Sequence, residues 1–394
     1  MKRRGGVVLA LATIVVAALA STAGAGSSAV TATQAINCKS TVKLALITPL
    51  TGGGGFIGQE QLSWSKYAVK TLAKKYGLKV QLLQGDTPVE KGPGEGLVVA
   101  QKFISDPKVL VAIGPATSGG VASASGALTA AGIAQISPSA TRTSLTKGAN
   151  REATNAFFRV VPGDYIQGPT DASYMVDKLN AKKVAIVDFQ EPYSVGLADA
   201  AETVLKKKGV SVTRLSTSVN TTDFSSLVTR VPGDAEVVFF PTQKPGDAQT
   251  FARQLVEQGK KAKVFGGDGS NDSSQFKTPG AYVSNFAPDI SGIAADKAII
   301  AGWKKDNPGK ALGSFGPPTY GAVQVILKAI KLACAADHGT LKQRRDVVRK
   351  VKQVKIKNWI LGGDFSFSTK SNDPLNAKFY IFQIQTNGSY KLVG

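Results

Sequence analysis

Val111-Ala-Ile-Gly-Pro-Ala-Thr-Ser-Gly-Gly120 and Ile133-Ala-Gln-Ile-Ser-Pro-Ser-Ala-Thr141 each read as an apolar strand running into a small, hydroxyl-rich turn. A helix-like stretch, Val121 to Ala131, joins them. In a parallel α/β sheet such turns lie side by side at the carboxyl ends of the strands, where ligands bind. The hydroxyls of Ser118, Ser139 and Thr141, with the neighbouring backbone N–H groups, suit a carboxylate or phosphate. No general base stands nearby, so the pair of turns reads as a place to hold a ligand rather than transform it.

The pattern continues outward. Strands are expected at Val42–Thr48, Lys79–Leu83, Val109–Ile113, Ile133–Ser137, Lys183–Asp188, Ser211–Leu215, Glu236–Pro241 and Ala262–Phe265. Helices are expected between them, at Gln59–Tyr76, Glu95–Ser105, Pro169–Leu179, Gly196–Lys208, Phe224–Val231 and Asp247–Gln258. Strands that are nearly unbroken runs of Val, Ile and Leu are buried on both faces, which implies parallel sheets covered by helices. The run Phe157-Phe-Arg-Val-Val-Pro-Gly-Asp164 separates two sets of such units, and Ala281–Pro288 reads as a return crossing. Phe365–Phe367 and Lys378–Gln385 are strand-like near the end. Two lobes joined by extended crossovers fit this order, and no Pro/Ser-rich linker interrupts it.

The ends and the composition narrow the setting. Lys2-Arg3-Arg4, the apolar run Val7 to Ala20, and Ala23-Gly24-Ala25 form the three parts of a signal peptide cut near Ala25. About 370 residues then remain, more than one comfortable core and enough for two lobes. No later stretch reads as a membrane span. Asn37 before Cys38 disfavours lipid attachment at that cysteine. The two cysteines, Cys38 and Cys334, are either a disulfide, which an exported chain permits, or two separate buried thiols. Two cysteines and one histidine, His338, make a poor metal set.

Lys and Arg number 48 against 27 Asp and Glu, and the formal charge of +21 falls by three to +18 when Lys2, Arg3 and Arg4 leave with the leader. The lysines are scattered along helix faces; only Lys342 to Lys357 is dense, and it reads as one exposed helix face and its exit. Without zinc-finger spacing or stacking aromatics this is a solvated surface, not a nucleic-acid interface.

Enzyme signatures are weak. Gly53-Gly-Gly-Phe-Ile-Gly58 satisfies G-x-G-x-x-G, but Thr48-Pro-Leu-Thr-Gly52 separates it from its strand, and Asp86 lies too far along for a ribose partner. The run reads instead as a flexible glycine loop rimming a cleft. No G-x-S-x-G, Walker A or H-E-x-x-H occurs.

Several stretches carry a resemblance. They are Leu46-Ile-Thr-Pro-Leu-Thr-Gly52, Ile113-Gly-Pro-Ala-Thr-Ser-Gly119, Ile136-Ser-Pro-Ser-Ala-Thr141, Val184-Ala-Ile-Val-Asp188 with Tyr193, Asp223-Phe-Ser-Ser-Leu227, Gly266-Gly-Asp-Gly269 and Thr319-Tyr-Gly-Ala322. From about Val42 to the C-terminus the chain resembles the periplasmic solute-binding proteins of branched-chain amino-acid ABC transporters, the leucine/isoleucine/valine-binding type. The resemblance implies an α/β fold of two doubly wound lobes with parallel sheets and a three-crossover hinge. One lobe would hold residues 38–160 with 289–375, the other 161–288 with 376–394.

The resemblance also implies a site. Ser118 and Thr141 would grip a ligand carboxylate, with Ala140 beside them, and the Ser139 carbonyl would accept from an ammonium. Asp268 would pair with that ammonium, Tyr193 would close from the second lobe, and Phe56 would wall the side-chain pocket. A zwitterion leaving water needs each charge paired and hydrogen-bonded, which these groups would do. Four positions depart from the family. Gln243 and Lys244 stand where an aromatic is expected, Asp268 is shorter than the usual glutamate, and Thr117 occupies the place of a family cysteine. The implied function is an exported receptor, soluble and monomeric in the periplasm or at the cell surface, that captures a small amino acid or other carboxylate-bearing solute. Its partner would be an ABC permease; no cofactor, metal or nucleic acid is implied. The alternatives are a sensor of amides, urea or aromatic acids feeding a signalling partner and, less so, a secreted enzyme using an unrecognised carboxylate pair.

Overall fold

A computed structural model describes residues 35–394; the leader and its cleavage position lie outside the described residues. The chain opens with β1 (Ile36–Asn37), β2 (Thr41–Thr48), α1 (Gly55–Tyr76), β3 (Lys79–Asp86), α2 (Glu95–Ile104), β4 (Val109–Ile113), α3 (Ser118–Ala130), β5 (Ala134–Ser137) and β6 (Phe157–Arg159). Strands β3-β2-β4-β5-β6 form a five-stranded, all-parallel sheet in that order. The reason the strands read as unbroken apolar runs is visible in β2. Leu44 and Leu46 face one core, built with α1, while Ala45 and Ile47 face another, built with α2 and α3.

A second set follows: α4 (Asp164–Asp177), β7 (Lys183–Asp188), α5 (Pro192–Lys207), β8 (Ser211–Ser216), α6 (Ser225–Arg230), β9 (Val237–Phe239), α7 (Pro245–Glu257), β10 (Lys263–Gly266) and β11 (Tyr282–Asn285). The chain then supplies α8 (Lys297–Asp306), α9 (Gly316–Ala336), β12 (Thr340–Leu341), α10 (Arg345–Val351), β13 (Lys355–Ile356) and β14 (Phe365–Ser366), and ends with β15 (Tyr380–Ile384) and β16 (Tyr390–Leu392). The second sheet runs β16-β15-β11-β10-β9-β7-β8. Its β7 shows the same two-sided burial, Val184 and Ile186 facing one core and Ala185 and Val187 the other.

The chain therefore passes between the lobes three times: after β6, after β11 and before β15. One apolar knot collects a residue or two from each passage, Val161, then Phe286 and Ala287, then Phe379, together with Ile57 and Phe315. Packing of this kind makes the crossings hinge strands rather than a loose linker.

Some expectations need correction. The second sheet is not wholly parallel, since β15 and β16 add antiparallel strands at its edge. Helix α4 begins at Asp164 and carries Pro169 inside its first turns, five residues ahead of the expected start. Helix α9 is long and apolar enough to cross a bilayer by length and composition, contrary to the sequence reading. Its apolar side chains, Val323, Ile326, Leu327 and Ile330 among them, are buried in the first lobe's core. The glycine run borders the seam between the lobes, but it is braced rather than a loose loop. Gly55 already starts α1, and a Cβ on Gly58 would lie 1.9 Å from the Pro49 carbonyl oxygen, so glycine is needed where helix and strand exit touch. Asp86 fixes the intervening loop, accepting from the Leu50 N–H at 2.7 Å and the Thr51 hydroxyl at 2.5 Å, and Glu90 accepts from the Gly53 N–H at 2.7 Å.

Cys38 and Cys334, left open as a pair or two thiols, are joined in a disulfide, which ties the chain beside β1 to the end of α9. The dense basic stretch is the exposed side of α10 and its exit, although Arg344 turns inward to donate to the Ile104 and Pro107 carbonyls.

Candidate functional site

The first-lobe half of the site grows from the turns after β4 and β5. The Thr117 side chain caps α3 by accepting from the Gly120 N–H at 3.1 Å. That places the fully buried Ser118 in the first turn of α3, where free N–H groups and the helix dipole favour an anion. The Ser118 hydroxyl accepts from the Arg142 N–H at 3.2 Å, locking the two turns together. Ser139 is tied more tightly still. Its hydroxyl donates to the Ala116 carbonyl at 2.7 Å and accepts from the Gln61 amide at 2.9 Å, while Gln61 accepts from the Thr48 hydroxyl at 2.7 Å. Ala140 donates its N–H to the Ser137 hydroxyl at 3.0 Å.

Arg159 underpins this loop from below. Fully buried, it pairs with Asp373 at 2.7 Å and donates to the carbonyls of Ala140 (3.3 Å), Thr141 (2.7 Å) and Arg142 (3.0 Å). Beside so many bonded groups the Thr141 hydroxyl stands apart: wholly buried, it makes no bond within its own lobe and faces the Asp164 carboxyl.

The second-lobe half comes from α4, α5 and the turn after β10. Glu191 caps α5 by accepting from the Ser194 and Tyr193 N–H groups at 2.7 and 2.9 Å, which orients Tyr193 inward. The Tyr193 hydroxyl donates to Asp268 at 2.9 Å and accepts from the Gly269 N–H at 3.0 Å. Burial raises the Asp268 carboxyl to about 6 and holds the Tyr193 phenol well above its ordinary range, Asp268 adding to the latter.

Asp164 and Gln61 were not anticipated. Asp164 is the first residue of α4, its N–H donating to the Thr141 carbonyl at 2.7 Å across the boundary between the lobes. Its side chain is fully buried, and neither carboxyl oxygen has a hydrogen-bond partner. Burial, with Asp268 nearby, pushes this carboxyl up to about 8. The sequence did contain a signal: Pro162-Gly-Asp164 follows a strand and opens a helix, but Asp after Gly reads as an ordinary cap or turn. Gln61 carries no such mark, lying mid-helix among other polar residues.

The two halves meet. A Cβ on Gly119 of α3 would lie 3.4 Å from Pro192 of α5, and one on Gly53 would lie 2.7 Å from the Lys244 stem. Gln243 lies along the same seam, its carbonyl 3.5 Å from such a position on Gly54, and it borders a narrow crevice of about 30 Å³ with Thr117, Gly119, Glu191 and Pro192. Lys244 pairs with Asp247 at 2.7 Å. The cleft is shut. Phe56 lies to one side, its ring edge-on to Phe315 at 5.5 Å beside the hinge knot. The structure thus gathers Ser118, Ser139, Ala140 and Thr141 on one side of the seam and Tyr193 and Asp268 on the other, with Gln243 at its rim and Phe56 on the hinge side.

These features have counterparts among known proteins. A family model described as "Periplasmic binding protein" matches residues 41–389. The chain belongs to the periplasmic binding protein family. It is 30% identical over 306 residues to the Leu/Ile/Val-binding protein BraC3 of Rhizobium johnstonii, covering 75% of this chain and 80% of that protein. Among solved structures, this binding protein superposes on the leucine-binding protein LivK of Thermotoga maritima with a TM-score of 0.79 at 21% identity, over 90% of this chain and 98% of that one. LivJ of Streptococcus pneumoniae, solved with isoleucine, gives a TM-score of 0.76 at 22% identity, over 90% and 99%. Such identities establish a shared fold; the proteins compared are substrate-binding proteins rather than enzymes.

Proposed function

We propose that the protein is the capture subunit of an ABC importer, exported from the cytoplasm, that encloses a small α-amino acid between its lobes and presents it to a membrane permease. The observation that carries this reading is the pairing of unlike half-sites across one shut seam. The first turn of α3 with the unpartnered Thr141 hydroxyl suits a carboxylate; Asp268 and Asp164 opposite suit an ammonium. Each charge of a zwitterion then has a buried counterpart, as removal from water requires. In this reading the Ser139 carbonyl and Ala140 backbone face the solute, Tyr193 orients Asp268, Phe56 walls the side-chain end, and Gln243 closes the rim.

Lobe one is the docking surface and lobe two the lid, brought together by bending at the three crossings. Binding by the closed form shifts a hinge equilibrium by the difference in affinity between its two states. Kinship with proteins named for leucine, isoleucine and valine supports an aliphatic amino acid, while Gln243 at the rim and Lys244 behind it put an amide and a paired cation on this chain's own side of the seam. The disulfide accords with an oxidising, extracytoplasmic location.

Thermal-shift measurements with L-leucine, L-isoleucine, L-valine and the remaining common amino acids test this, since a ligand that binds only the native state raises the melting temperature. At least one is expected to do so, and Ser118→Ala and Thr141→Ala to weaken its calorimetric affinity roughly 10- to 150-fold, the range for losing one hydrogen bond to a charged group. Unchanged dissociation constants in both variants would remove the carboxylate site.

A further inference from the structure

We propose that Asp164 makes closure selective: sealed beside Asp268 with no protein cation to pair with it, it lets the lobes shut only over a solute that brings a cationic group, or after taking up a proton. Three fully or almost fully buried carboxyl groups, Asp164, Asp171 and Asp268, sit within electrostatic reach of one another. Asp268 has the Tyr193 hydroxyl, and Asp171 has the Ser284 hydroxyl at 3.0 Å, which itself accepts from the Gln167 amide at 2.9 Å. Asp164 has only the Thr141 hydroxyl facing it, with no well-formed hydrogen bond to either oxygen and no cation of its own.

The groups facing Asp164 from each neighbouring element are few. Asp268 lies in the turn after β10, Thr141 and Arg142 follow β5, Arg159 is on β6, Tyr193 is in the first turn of α5, and Asp171 shares α4. Both guanidiniums are engaged elsewhere. Arg159 holds Asp373 and three carbonyls, and Arg142 pairs with Glu152 at 3.1 Å. A buried carboxylate without a partner is too costly to persist, so it neutralises or finds a counter-ion.

Asp164 lies where α4 meets the first-lobe loop, and the proposal requires that opening the seam return its carboxyl to water. Its proton affinity is therefore ordinary in the open form and high in the shut one, burial and Asp268 together raising it to about 8. The sign follows from linkage. Shutting the empty cleft binds a proton, so the empty shut form gains on the open one as pH falls from about 8 toward the ordinary carboxylate range near 4. Above that window only a cation from the solute relieves Asp164. A carboxylate-bearing solute without an amino group then binds lobe one but leaves lobe two ajar.

This inference draws on the amino-acid reading only for the nature of the natural cation, and its test begins without any solute. Dyes on Lys102→Cys and Lys206→Cys, exposed positions in α2 and α5, report closure by energy transfer in the full chain. Transfer in the solute-free protein is expected to rise from pH 9 to pH 5, the shut-to-open ratio gaining up to tenfold per unit for one coupled proton. Asp164→Asn should give higher transfer with a shallower pH dependence, the remainder coming from Asp268 and Glu191 below about pH 7, and Asp164→Glu should restore the full slope; melting curves verify that both fold. At pH 8.5, L-leucine should raise transfer and 4-methylpentanoate, the same skeleton without the amino group, should not. A wild-type signal that stays flat from pH 9 to 5, or a slope unchanged in Asp164→Asn, overturns the proposal. A normal pH response in a protein that binds no amino acid upholds it and sinks the amino-acid reading instead.

Discussion

The two sides of the seam differ in how far they are finished. In the two first-lobe turns most polar groups already have a partner within the lobe, the Thr141 hydroxyl excepted: Ser118 with Arg142, Ser139 with Gln61 and Ala116, Ala140 with Ser137, and the carbonyls of residues 140–142 with Arg159. On the second lobe Tyr193 and Asp268 satisfy one another, yet Asp164 and one oxygen each of Asp171 and Gln167 remain unpartnered. A lobe that must present a rigid socket to solvent before anything arrives benefits from complete bonding, since ordering its groups during binding would cost affinity. The lobe that arrives second is free to leave groups that only the enclosed solute completes. The contrast assigns preorganisation to one lobe and selectivity to the other.

Breaking the first-lobe scaffold at its root should produce the largest effect. Arg159→Met strands Asp373 as a buried charge and frees three carbonyls, and is expected to lower stability by about 3–5 kcal/mol in denaturant unfolding. A loss below about 1 kcal/mol would mean that Arg159 is not what holds the loop. Gln61→Leu cuts the thread from Thr48 to Ser139 while filling similar volume. It should cost about 1–3 kcal/mol through the polar groups left behind, with weaker solute affinity as the Ser139 turn relaxes. Equal affinity for wild type and variant would detach the thread from the site.

The second lobe should respond in the opposite proportion. Tyr193→Phe removes one hydroxyl that serves Asp268 and the Gly269 N–H, and should lower stability by only about 1 kcal/mol. Its calorimetric affinity should nevertheless fall at least tenfold, since Asp268 loses its orientation. If Tyr193→Phe proved as destabilising as Arg159→Met with affinity intact, the division of labour between the lobes would be reversed.

How much of this was readable beforehand varies along the chain. Strands such as Val109–Ile113 and Lys183–Asp188 appear in the structure with the bounds expected, because burial on both faces demands an unbroken apolar run that shorter-range effects cannot imitate. Helix starts were less legible. Helices α1, α4 and α5 all begin several residues early, at Gly55, Asp164 and Pro192, where turn-forming residues are drawn into the first turn by contacts with distant segments. Asp86 was weighed as a ribose partner and proves to brace the Leu50–Gly53 loop, a contact between the ends of neighbouring strands. Ser118, Ser139, Thr141, Tyr193 and Asp268 were picked out because hydroxyls and acids at strand ends, in the stretches that carry the family resemblance, have a short list of uses.

What the chain's order of residues determined by itself was the layered α/β architecture, its division into two sets of strand–helix units and the chemical character of the strand-end turns, all of which depend on local pattern and on composition. Only the folded molecule decided which of two cysteine states holds, which polar groups are already bonded to one another, and that Asp164 is left alone beside Asp268. The reason is physical: burial and pairing are properties of groups brought together from distant parts of the chain, and no stretch of residues carries them until the lobes have folded and met.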